Sequence, residues 1–143
     1  MAISYLEPLE DALKTVKQFD NATLPSWAWT HEAHLICGLS VLARFGIENA
    51  PNEMRQLILA YNEAVGKVNS DTSGYHETIT FFWLKAVWER LSARGKISFD
   101  QATLDELLSN IDLANRNLFL QAYSEKLILS VEARRNYVEP DLY

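Results

Sequence analysis

Two short stretches hold all three histidines of the chain: WAWTHEAHL, with His31 and His34, and DTSGYHET, with His76. His31 and His34 stand three residues apart where an apolar helix begins, so their rings share one helix face and can reach a common point. His76 opens another helix, entered from a polar loop, and supplies a third ligand if the two helix N-termini meet. Three imidazoles leave a position open on a divalent transition metal ion, with zinc favoured and iron, manganese or nickel as alternatives. Water bound there is acidified, which points to hydrolysis of a small molecule or another addition of water.

Glu32 and Glu77 each adjoin a histidine. Adjacent residues on a helix diverge by about 100°, so these carboxylates serve better as proton acceptors behind the ligands than as ligands. Glu77 is the candidate catalytic base or fourth ligand, because its helix is apolar most of the way round, and Asp71 in the loop is within reach. No carboxylate stands three or four residues from a histidine. That argues against the two-histidine, one-carboxylate iron site of oxygenases.

The same residues admit a second reading. Histidines near helix N-termini also hydrogen-bond loop carbonyls, and Trp27, Trp29, Trp83 and Trp88 can wall an apolar cavity or simply fill the core. On that reading the protein is a non-enzymatic module that binds a ligand or a partner helix. The core-side projection of every histidine and the Glu beside each group favour the metal reading. Asn62 and Asn69 offer amide contacts to a ligand, or caps and loop bonds. Ser40 and Ser73 lie in no nucleophile elbow, and there is no glycine-rich phosphate loop. Cys37, one turn after His34, is a conceivable thiolate ligand but reads as a buried helix residue.

The elements that must position these groups read as helices. Leu6, Leu9, Leu13, Val16 and Phe19 mark a stripe on a helix from about Ser4 to Gln18. A second helix starts between Ser26 and Thr30 and runs to Phe45, with Gly46 as its left-handed stop. A third carries Met54, Leu57, Ile58, Tyr61 and Val65. A long fourth, from Tyr75 to Arg94, is loaded with Ile79, Phe82, Trp83, Val87 and Leu91 and is expected to be central. Asp100 caps a short helix, a last one spans Arg116 to Leu129, and the tail with Pro140 is an extended strap. No segment alternates with a period of two. The fold class is all-α: one domain over residues 1–143, a bundle of four main helices with one or two short additional ones.

A chain of 143 residues with 48% apolar residues can bury one core. Its net charge of −6, with no basic run longer than Arg134-Arg135, gives no positive face for a phosphate backbone, so nucleic acid is excluded as a partner. A single cysteine, no signal-peptide pattern and no apolar run near about 20 residues predict a cytoplasmic protein without a membrane anchor. A homo-oligomer is compatible with the composition.

WTHEAHL, DTSGYHET and the closing ARRNYVEPDL resemble the signature segments of a family of small uncharacterised bacterial proteins, a likeness that implies no activity. A small helical bundle with three inward histidines also resembles the DinB/YfiT-like metal-binding superfamily, which implies a metal site of that type. The pattern departs from it, since that superfamily carries His-x-x-x-His on a later helix and this chain has His31-x-x-His34 on an early one.

Overall fold

The computed structural model describes residues 8–91 and 96–142, and among them the elements are helical with no strand. Helix α1 spans Pro8–Asp20, α2 His31–Ala64, α3 Glu77–Leu91, α4 Gln101–Ser109, α5 Ile111–Ala114, α6 Glu125–Ile128 and α7 Val131–Arg135. Two 3-10 turns, Ser26–Ala28 and Leu118–Gln121, complete the set. This is the expected all-α bundle. The beginning of the first helix and the last turn of the fourth lie outside the described residues. None of the described helices is long and apolar enough to cross a membrane.

The expected second and third helices are both present, and they abut inside α2. Thr30 caps its start, accepting from the Ala33 N–H at 3.2 Å. At Gly46 the backbone turns to φ 78°, ψ 166°, a region that is essentially glycine's alone. The chain bends there and resumes helix at once, so no loop separates the two segments.

The first segment of α2 and α3 run side by side in the same direction. His31 and His34 share a cavity with Ile79 and Thr80. Further along, Gly38 faces Leu84, and Leu42 and Gly46 share a cleft with Trp88. Helix α1 packs on α2, and α4 closes against α1, α2 and α3. Leu39, Leu42, Val87, Leu104, Leu107 and Leu113 are fully buried between them. Each such side chain contributes about 1.5–3 kcal/mol by leaving water.

The expected single helix from Arg116 to Leu129 is not formed. A 3-10 turn and α6 replace it, because Ser124 turns back to cap a new helix, accepting from the Leu127 N–H at 3.1 Å. Asn110 and Ser130 cap α5 and α7 in the same way. Short polar side chains that compete for backbone N–H groups thus cut this third of the chain into single turns. The strap expected around Pro140 is present. Thr78 donates to Asn136 O at 2.8 Å and accepts from the Val138 N–H at 3.1 Å, while Tyr123 donates to Val138 O at 2.7 Å.

Replacing Gly46 by alanine forces a Cβ into that glycine-only conformation, although no atom lies within 4 Å of it. The expected result is a loss of about 1–3 kcal/mol, read as a lower urea midpoint at unchanged slope. An unchanged midpoint would contradict the bend as drawn.

Candidate ligand cavity at the histidine face

A cavity of about 370 Å³ opens between the first turns of α2, the first three turns of α3 and residues 116–119. Its walls are mainly apolar, built by Leu35, Met54, Ile58, Leu84, Val87 and Phe119, with Trp29 and Trp83 as the aromatic sides. Gly38 leaves room in the floor: a Cβ there would meet only Leu84, at 3.6 Å. The size and lining suit a small ligand. Of the four tryptophans, Trp27 is 82% exposed and Trp88 lines a different cleft with Leu42 and Gly46, so neither walls this cavity.

His34 faces the cavity from α2 in a fixed pose. Its Nδ1–H donates to Thr30 O at 2.6 Å. The ring lies against the Trp29 indole with centroids 3.7 Å apart, and Phe19 stacks on the same indole at 4.6 Å. Surrounding protein desolvates the ring and outweighs the Thr30 bond, and the positive fields of His31, Lys67 and Arg116 add to the effect. Together they push its pKa down to about 4. The ring is open to solvent from the cavity side, which tempers that desolvation, and His34 is neutral at pH 7 with its lone pair on Nε2.

His31 also lines the cavity, with its Nε2–H donating to Leu113 O at 2.8 Å and its ring edge-on to Trp83 at 4.8 Å. His76 does not join the other two. It is the N-cap of α3: Nδ1 accepts from the Ile79 N–H at 3.1 Å and Nε2–H donates to Ile128 O at 2.7 Å. Both nitrogens are used, and the acceptor role of Nδ1 requires the neutral ring. Burial lowers its pKa, partly opposed by the Ile128 bond. The expected three-histidine convergence is therefore not what the geometry brings together. Among the described residues no three His, Cys, Asp or Glu side chains are grouped to hold a metal ion.

Glu77, the expected base, points away from the cavity lining toward Arg55. Its carboxylate accepts from Arg55 Nε at 3.0 Å and Nη2 at 2.7 Å, and from Tyr75 Oη at 2.6 Å. Burial alone would raise its pKa, but these donors and the Arg55 charge outweigh it and hold the carboxyl below its usual range. Glu32 sits beside a smaller neighbouring cleft, and Asp71 is paired with Arg135 at 2.7 Å. Asn62 donates to the Asn69 carbonyl at 2.9 Å, so that pair ties a loop. Cys37 is buried, and desolvation, aided by the Asp20 charge, pushes its thiol up to about 12, which leaves it protonated and inert.

Sequence reasoning missed Arg116, Phe119, Met54, Ile58 and Thr80 as cavity residues. Helical periodicity marked most of these only as core, and it says nothing of a gap between helices. No family model, curated protein or solved structure matches the chain.

The histidine geometry makes stability depend on pH. His34 and His76 both have folded pKa values below the ordinary 6.5, so the unfolded chain binds their protons more readily. Their contribution is present above about pH 6.5 and is lost as pH falls below it, for His34 toward pH 4. Urea unfolding from pH 7 to 4.5 is expected to show a shallower decline in the His34→Gln/His76→Gln double variant than in the parent. Parallel declines would contradict neutral histidines.

Proposed function

We propose that the protein is a helical binding module that holds one small, largely apolar molecule in the cavity between α2, α3 and residues 116–119. The observation that carries this reading is a preformed cavity of about 370 Å³ with apolar and aromatic walls and an oriented acceptor, His34 Nε2. An apolar ligand gains by leaving water against Leu35, Ile58, Leu84 and Val87, and a hydroxyl or N–H on it can donate to that nitrogen. On this reading the histidines are structural. His31 and His76 join long helices to the carbonyls of short ones, and His34 offers its Nε2 to the ligand.

The reading competes with the divalent-metal hydrolase expected from histidine spacing alone. What weighs against the metal is the use of both His76 nitrogens and of both Glu77 oxygens within the protein.

Calorimetric titration with 2-naphthol is expected to give saturable one-to-one binding. The Ile58→Trp variant, which fills the cavity from its half-buried rim, should weaken it at least about ten-fold while circular dichroism stays helical. Binding unaffected by that variant would contradict the site. One tightly held zinc ion that is lost in His76→Ala, together with ester hydrolysis, would replace this reading with the metal-dependent one.

A further inference from the structure

We propose that the molecule this cavity takes is an amphipathic acid, with its carboxylate at Arg116 and its apolar body between α2 and α3; the inference rests on the ligand-binding reading above. Four arginines of the described residues are spent on carboxylates: Arg44 on Asp20, Arg55 on Glu77, Arg90 on Asp112 and Arg135 on Asp71. Arg134 donates to Gly74 O and Tyr75 O. Arg116, among the described residues, has neither a hydrogen bond nor an ion pair, and it is the one arginine that lines the cavity.

An exposed arginine without a partner is ordinary on an open surface. At the edge of an apolar cavity it is a cation facing a low-dielectric space, where an anion gains more than it would in water. The lining supports the same sign. The chain carries 19 acidic residues and a net charge of −6, yet no Asp or Glu lines this cavity. Glu32 shares an adjoining cleft of about 170 Å³ with Arg116, and among the described residues the two form no ion pair. The positive fields of Arg116 and Lys67 both reach His34. The first turn of α2, through Thr30 and His31, lines the cavity as well and adds the positive end of a helix. A guanidinium fork binds a carboxylate through two parallel N–H bonds, a geometry an ammonium cannot reproduce.

The test is a matched series on one ring system: 2-naphthoate, 2-naphthol and 2-naphthylmethylammonium, titrated calorimetrically into the full chain at pH 7.5. Naphthoate should bind about ten-fold more tightly than the ammonium compound, and raising salt from 20 to 200 mM should weaken naphthoate alone. In Arg116→Gln the ratio of naphthoate to naphthol affinity should fall about five-fold, and Arg116→Lys should recover only part of it. If naphthol and naphthoate bind equally and Arg116→Gln leaves their ratio unchanged, the acid is overturned while the cavity as a ligand site stands. If none of the three binds, the ligand-binding reading falls and the acid falls with it.

Discussion

The structure depends on finding donors for the backbone carbonyls of its broken C-terminal third, among them those of Leu113, Ile128, Asn136 and Val138. Helices of four or five residues make almost no internal ladder, so most of their carbonyls and N–H groups must find partners elsewhere. The long helices supply several of them. His31 on α2 donates to Leu113 O in α5, His76 ahead of α3 donates to Ile128 O at the end of α6, and Thr78 and Tyr123 fix the strap. In the other direction, Arg134 of α7 donates to Gly74 O and Tyr75 O in the loop that leads into α3. The His31 and His76 imidazoles are thus ties between the long helices and the irregular C-terminal third.

That use of the rings shapes the chemistry left over. A histidine that gives its N–H to a carbonyl has a fixed tautomer, and one that also caps a helix has no lone pair to offer a metal. His76 is in the second state. His34 is in the first, stacked on Trp29 and aimed at an apolar space, so what it offers is one directional acceptor. Gly38 carries no side chain into the floor of the cavity, and residues 116–119, which wall its other side, lead into the 3-10 turn Leu118–Gln121. The irregular segment that the histidines tie down therefore also borders the cavity.

Much of this was legible in the residues. Periodicity located α1, both segments of α2 and most of α3, and it placed Leu35, Gly38 and Leu42 on the buried stripe, though Phe45 at its end is 37% exposed. Gly46 was legible as a break but not as a bend without a loop, since a glycine-only φ serves either purpose. In the C-terminal third the Asp100-capped helix and the strap were legible, and the breaks between them were not, because Asn110, Ser124 and Ser130 are as compatible with an exposed helix face as with a cap. The shared face of His31 and His34 was legible, but it opens on a cavity that leaves His34 exposed, and His76 is buried as expected yet apart from them. His76 sits one residue before its helix, and an N-cap side chain folds over the first turn instead of projecting with the helix face. Glu77 finds Arg55 across 22 residues, a pairing that no local pattern announces. Arg116 gained meaning only once the cavity beside it was seen.

The central claim is that each histidine ring gives an N–H to a backbone carbonyl, His76 using its second nitrogen as well and His34 keeping its Nε2 lone pair for the cavity. Long-range proton–nitrogen correlation spectra of the three imidazoles at pH 7 test it most directly. The account predicts His76 as the neutral Nε2–H tautomer, His34 as the neutral Nδ1–H tautomer and His31 with its proton kept on Nε2, all three unmoved by one equivalent of zinc. A shift of His31, His34 and His76 together on adding zinc, with the lone-pair nitrogens becoming metal-bound, would contradict it.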